Sequence, residues 1–249
     1  MRVLVTGAAG FLGRGLIVPF EARGDMLRLM DVMPFQSRHE VVVGSVADLD
    51  VCVRAAAGME ALVIAHMAPR TPGAYDSPTA GFDINVKGTA NLFHAAVQHG
   101  IKAVVVISST SVFDRHKQEP HPHDLPLQPL GYYSLSKACQ ELIAETFARE
   151  HGIRVACLRC GYIMDGDANV DKYGHVVTER NPPCTDRRDI GEVARLCLER
   201  PDIVYETFNV MSAEESLTLF DVRYTCERLG WKPKYDFHWL RTPKPKGPA

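Results

Sequence analysis

The chain carries no surplus of either charge: 28 lysines and arginines stand against 30 aspartates and glutamates, a formal net of −2, with no basic block. That balance argues against nucleic acid as a partner. No apolar run approaches the roughly 20 residues that a membrane span requires, so no membrane partner is expected. The first predicted strand starts at residue 2, so no signal peptide is expected. Cysteine is present but not in a disulfide framework. The 7 residues are odd in number and fall mostly in predicted strands and helices, which points to reduced thiols and a cytoplasmic location. Cys157 and Cys160 have metal-like spacing, but no second pair accompanies them, so they read as structural and no metal is expected. No internal repeat is visible.

What the chain does have is alternation. Apolar runs near residues 2–5, 26–31, 40–43, 61–65, 103–108, 154–159 and 204–210 read as strands. Helical patterns fall near 12–23, 50–57, 79–99, 132–151, 190–199 and 217–229. This order predicts an α/β fold with a doubly wound parallel sheet and ligands at the carboxyl ends of its strands. Pro69–Ala80, Phe113–Leu130 and Ile163–Arg187 are longer than routine connections, and a substrate is expected there. His121-Pro-His123, in polar, proline-rich sequence, reads as a solvated loop. The tail from Arg241 to Ala249 reads as a disordered end.

The first strand stops at Gly7-Ala-Ala-Gly10-Phe11-Leu12-Gly13, and a helical pattern begins inside that cluster. Strand, glycine turn and helix together build a dinucleotide cradle. Gly7 allows the tight turn, Gly10 lets backbone N–H groups approach a pyrophosphate, and Gly13 lets the helix pack close to the strand. Asp31 ends the second strand at the downstream distance where a carboxylate meets the ribose hydroxyls of NAD. No arginine or lysine follows until Arg38 to neutralise the extra phosphate of NADP. The alternative is a strand-end aspartate that merely starts a turn before Pro34.

Ala103–Ser109 is an apolar strand ending in serine, and Tyr133-Ser-Leu-Ser-Lys137 opens a long helix. Positions i and i+4 share a helix face. A free phenol titrates near ~10, too high for a base at neutral pH, and a fixed ammonium beside it favours the phenolate.

Together these motifs resemble the extended short-chain dehydrogenases, the NAD-dependent epimerase/dehydratase family (a Rossmann fold), and among them the compact uronate dehydrogenase type. The likeness continues through Leu62–Ala68, Asn85–Asn91, Val155–Gly161, Arg188–Ala194, Phe208–Val210 and Leu229–Pro233. It implies Ser109, Tyr133 and Lys137 as catalytic residues. Ser109 would hold the substrate oxygen, Tyr133 would exchange its proton, and Lys137 would also bind the nicotinamide ribose. It implies cofactor contacts from Gly7, Gly10, Phe11, Leu12, Gly13, Asp31, Ser45, Val46, Ala65, His66, Met67 and Asn85, with Tyr133 and Lys137 again among them. Ser45 stands where the family has an acidic residue for adenine, and Asp48 is the alternative. On the substrate side the candidates are Arg70, Thr110, Ser111 and Arg159, the two arginines as partners for a sugar carboxylate; the alternative is that Arg159 pairs with an internal acid and Arg70 is solvated. Thr110-Ser111 stands in place of the Asp-Glu pair of sugar dehydratases, which argues against dehydration. The expected division is residues 1–160 as the dinucleotide domain and 161–249 as a reduced substrate-binding appendage interleaved with the last strand and helices. A homodimer through helices 79–99 and 132–151 is also implied.

Three functions remain open on this reading. The first is an NAD-dependent dehydrogenase acting on a small sugar or sugar acid. The second is a sugar or nucleotide-sugar epimerase using NAD transiently. The third is an NAD-binding regulatory protein without turnover.

Overall fold

The computed structural model describes residues 1–69, 75–113, 119–179 and 183–240. Arg70 and the tail from Arg241 lie outside them. Seven strands form one parallel sheet: β1 (Arg2–Thr6), β2 (Met26–Asp31), β3 (Glu40–Val43), β4 (Ala61–Ile64), β5 (Ala103–Ser109), β6 (Arg154–Cys160) and β10 (Tyr205–Val210). Their spatial order is β10-β6-β5-β4-β1-β2-β3. Chain order therefore reverses between β1 and β4, and a crevice opens at the carboxyl ends of those strands.

Side chains alternate across the sheet and feed two cores. Val3, Val5, Leu29, Val63, Val105 and Leu158 face one side, where they meet Leu16, Phe20, Ile190, Val193 and Val222. Those partners lie on α1 (Phe11–Leu16), α2 (Val18–Arg23), α6 (Arg187–Glu199) and α8 (Val222–Leu229). Leu4, Met30, Leu62, Ile64, Val104 and Val106 face the other side, against Cys52, Leu92, Phe93 and Ala144. These belong to α3 (Leu49–Ala56), α4 (Gly88–Gln98) and α5 (Gly131–His151).

The predicted strands are all present, but three helices differ from expectation. The first is split at Ile17, because Pro19 brings no N–H to continue the ladder and sits instead in the first turn of α2. The second opens as a wide π-helical turn over Gly81–Lys87 before α4 begins. The last is divided into α7 (Ser216–Leu219) and α8, with Asp221 capping the Tyr224 amide at 3.1 Å. A second, three-stranded sheet was not expected. It consists of β7 (Tyr162–Asp165), β8 (Val170–Asp171) and β9 (Cys184–Asp186). The segment after α8 covers this sheet, and Phe237 and Leu240 bury against Met164, Cys184 and Ala213.

His121 is not solvated as expected: it is 3% exposed. Its ring lies between Phe113 and Phe220, with centroids at 5.7 and 5.1 Å. His123 stacks on Tyr224 at 3.5 Å, and its Nδ1 meets the Thr207 carbonyl at 2.9 Å. Tertiary aromatic partners pull this segment inward.

Candidate active site

A cavity of about 810 Å³ opens at the carboxyl ends of β1, β2, β4, β5 and β6, within the size range of small-molecule sites. One end is built by the glycine turn. Gly7 adopts φ +69°, and a Cβ there would meet the Ala65 carbonyl oxygen at 2.8 Å, so both the backbone and the space demand glycine. A Cβ on Gly13 would strike the Gly7 oxygen at 2.3 Å, so α1 is pressed directly onto the turn. Gly10 caps α1 with no side-chain acceptor, leaving first-turn N–H groups open beside the cavity. Asp31 stands opposite. Its Oδ2 accepts from the Ala9 amide at 2.9 Å and its Oδ1 from the Met33 amide at 3.1 Å, which fixes the carboxylate against the turn. Val32, Met33, Pro34 and Phe35 complete this end.

The other end holds Ser109, Tyr133 and Lys137, all on the cavity wall. Parallel pairing sets Ser109 beside Cys160 at the ends of β5 and β6. Tyr133 and Lys137 lie one turn apart near the start of α5. Lys137 is 3% exposed, and its Nζ donates to the Ile107 carbonyl at 2.8 Å, so a buried ammonium is anchored under the end of β5. The Tyr133 ring meets the Tyr75 ring edge-on at 5.3 Å. Ser109 Oγ accepts from the Ser111 amide at 3.2 Å and the Ser111 hydroxyl at 3.0 Å.

Gly7, Gly10, Phe11, Leu12, Asp31, Ala65 and Met67 also line the cavity. Several other expected residues stand behind the wall. Asn85 is buried and accepts from the Ala68 amide at 2.7 Å while donating to Ser136 Oγ at 2.9 Å, so it ties the loop after β4 to α5. His66 is buried with Nδ1 3.1 Å from Thr6 Oγ1, and burial, reinforced by the nearby Lys137 charge, pulls its imidazole down to about 3. Ser45 Oγ accepts from the Ala47 amide at 3.1 Å, and the Val46 carbonyl accepts from Asn91 at 2.9 Å. Asp48 caps α3 through the Asp50 and Val51 amides. Thr110 is buried.

Arg159 is a correction. Instead of facing the cavity as a substrate cation, it is 3% exposed and forks onto Glu141, with Nη2 to Oε2 at 2.8 Å. Its Nη1 donates to the His123 and Leu125 carbonyls, each at 2.9 Å. A cation at the end of a buried strand needs an anion within reach, and Glu141, one turn beyond Lys137 on α5, supplies it.

The loop Ile163–Arg187, where the sequence places a substrate, contributes Ile163, Lys172 and Tyr173 to the wall beside Gly161, residues that sequence reasoning did not single out. Only the length of Ile163–Arg187 and the charge of Lys172 signalled them. Among the described residues, no group of three or more His, Cys, Asp or Glu side chains is placed to hold a metal, and no helix is long and apolar enough to cross a membrane. All 7 cysteines are free thiols.

Residues 3–164 match the model of the NAD dependent epimerase/dehydratase family. Among curated proteins, the uronate dehydrogenase of Pseudomonas syringae pv. tomato is 33% identical over 165 residues, covering 64% of this chain and 58% of that protein. The CDP-glucose 4,6-dehydratase of Salmonella typhimurium is 29% identical over 189 residues, 66% of this chain and 53% of that one. The match thus spans a little over half the length of these relatives. Among solved structures, uronate dehydrogenase from Agrobacterium tumefaciens aligns with a TM-score of 0.74 at 22% identity, covering 98% of this chain and 91% of that one. A UDP-galactose 4-epimerase aligns with a TM-score of 0.76 at 21% identity, covering 94% of both chains. At these identities the structural likeness is one of fold.

Proposed function

The chain belongs to the NAD-dependent epimerase/dehydratase family, and from that premise we propose that it is an NAD-dependent dehydrogenase of a small sugar or sugar acid. The observation that carries this reading is the convergence of Ser109, Tyr133 and Lys137 on the same cavity as the glycine turn and Asp31. The residues present suit the dinucleotide. Gly7 and Gly10 leave backbone room for a pyrophosphate, and the fixed Asp31 carboxylate offers acceptors to ribose hydroxyls while repelling a 2′-phosphate. When bound, NAD supplies the hydride acceptor.

In the oxidation direction, the Ser109 hydroxyl donates to the substrate oxygen and holds it. The Tyr133 phenolate takes the hydroxyl proton from that oxygen as the carbonyl forms. The Lys137 ammonium, buried on the same cavity wall, is the group we assign to the nicotinamide ribose. Reduction reverses each transfer.

A small substrate is favoured because, among the described residues, the stretch between β6 and α6 forms a single three-stranded sheet. Lys172 on the cavity wall is the cation we assign to an acidic group on the substrate, in place of Arg159. The epimerase reading uses the same residues, and net NADH formation separates the two. Intact proton-transfer groups argue against a purely regulatory role. A panel of free sugars, sugar acids and nucleotide-sugars with NAD, followed by NADH absorbance and product analysis, tests the proposal. Sustained NADH formation with a free sugar or sugar acid is expected; isomerised product without net NADH overturns it in favour of epimerisation. The homodimer is proposed on the exposed Val97, Leu135 and Leu142 of α4 and α5, with a dimer expected in light scattering.

A further inference from the structure

The two walls of the cavity come from segments far apart in the chain. Phe11 and Leu12 stand at the dinucleotide turn, and Ile163, Lys172 and Tyr173 belong to the small sheet and its hairpin. One side chain that does not line the cavity spans both walls. Arg187, the first residue of α6, donates from Nη1 to the Phe11 carbonyl at 3.1 Å and lies 4.9 Å from the Phe11 ring centroid. Its Nη2 is paired with Asp165, the last residue of β7. The arginine stem crosses α1 at Gly15, where a Cβ would lie 2.2 Å from Arg187 Cγ. Gly191 lets α6 approach equally closely, since its Cβ would meet the Leu16 oxygen at 2.3 Å. Two glycines thus clear the path by which Arg187 reaches the turn.

Asp165 also sets the hairpin. Its Oδ1 accepts from the Asp167 amide at 3.1 Å, starting the turn between β7 and β8, and the preceding amide, Gly166, donates to Asp186 Oδ2 at 2.7 Å. The side chains of Arg187 and Asp165 are 20% and 10% exposed, so the pair is only lightly screened by solvent. We propose that Arg187 is a positioning residue that locks the dinucleotide turn to the substrate-side hairpin, so that occupancy of the cofactor end tightens the hairpin carrying Lys172 and Tyr173. Coupling of this kind is reciprocal: a substrate held by the hairpin raises affinity for the dinucleotide by the same factor. The inference rests on the NAD reading above.

The test uses the whole chain and NAD alone, with hydrogen exchange at the Gly166–Ala168 amides, which do not line the cavity. In the wild type, saturating NAD is expected to slow their exchange at least about fivefold, a typical coupling factor. Arg187→Met keeps an unbranched stem over Gly15 but removes the guanidinium. Asp165→Asn keeps the turn acceptor but removes the charge. In both variants, with NAD bound to saturation by calorimetry, the slowing is expected to fall below about twofold, whereas a pair that only adds stability would leave it intact. Wild-type slowing in either folded variant overturns the proposal, and so does NAD binding to the wild type without any slowing. No calorimetric NAD binding by the wild type overturns the dehydrogenase reading and this inference together. Asp165→Asn keeps the test available if Arg187→Met does not fold.

Discussion

Ser111 meets Ser109 twice, through its backbone amide and through its hydroxyl. Ser109 Oγ accepts from the Ser111 amide at 3.2 Å and from its hydroxyl at 3.0 Å. A hydroxyl has one proton and two acceptor lone pairs. When both lone pairs are engaged in this way, the Ser109 proton is the one that the proposed mechanism directs to the substrate oxygen.

Ser111→Ala removes one of these bonds and frees the Ser109 rotor. A neutral hydrogen bond is worth about 0.5–1.5 kcal/mol, so kcat is expected to fall roughly two- to twelvefold, with NAD affinity unchanged. Ser111→Thr retains the hydroxyl and should restore most of the rate. Equal rates for wild type and Ser111→Ala would remove Ser111 from the mechanism.

Tyr133→Phe deletes the proton carrier while keeping the ring against Tyr75. Turnover is expected to drop by roughly 10²–10⁴-fold, with NAD binding by titration almost unaffected. Lys137→Met should damage both rate and NAD affinity, because the proposed mechanism uses the ammonium at both the phenol and the ribose. Near-normal turnover by Tyr133→Phe would refute the assignment.

Much of this site is legible in the sequence because it is local. The glycine turn, the serine at the end of β5 and the Tyr–Lys pair on α5 each occupy a few consecutive residues, and strand periodicity assembles them. What was not legible depends on distant partners. Arg159 reads as either a substrate cation or the partner of an internal acid, and only the fold shows that Glu141, on another element, holds it. His121 reads as solvated between its prolines, yet Phe113 and Phe220 enclose it. The strands of the small sheet are only 2 to 4 residues long, too short for an alternation pattern to show. The dimer, the division at residue 160 and the substrate contacts stay proposals.

The Asp31 carboxylate should also set cofactor choice. With Oδ2 held by the Ala9 amide and Oδ1 by the Met33 amide, the group cannot swing aside for a 2′-phosphate. Titration should show NAD bound well and NADP poorly. Asp31→Ala should narrow that gap and weaken NAD itself, because the turn loses its anchor. A wild-type preference for NADP would contradict the assignment.

His66 gives the fold an acid-sensitive limb. Its buried imidazole is held down to about 3, while an unfolded histidine titrates near ~6.5. Below about 6.5 the unfolded chain binds a proton that the folded chain refuses. This contribution to stability is therefore complete above that pH and is lost progressively as pH falls toward about 3. His66→Asn removes the titrating group, so urea unfolding between about pH 6 and pH 4 should show a slope shallower by up to ~1.4 kcal/mol per pH unit. Parallel slopes in the two proteins would mean that His66 is protonated in the fold.

Arg159 and Lys172 separate stability from substrate recognition. Arg159 and Glu141 are 3% and 1% exposed, and removing one member of a buried pair strands the other charge at a cost of about 3–5 kcal/mol. Arg159→Met is therefore expected to lower unfolding stability by that order, and pairing it with Glu141→Leu should recover part of the loss. Its effect on KM should be the same for a sugar acid and for the neutral sugar. Lys172→Met should do the reverse. Lys172 lines the cavity and reaches over the Tyr162 and Tyr173 rings at 5.8 and 5.4 Å, so its loss should barely change stability. A lost charge-assisted contact costs about 1.5–3 kcal/mol, so KM for a sugar acid should rise roughly 10- to 150-fold, with little change for the neutral sugar. Equal KM changes on the two substrates would show that no carboxylate is read by Lys172 and would withdraw the preference for acidic sugars.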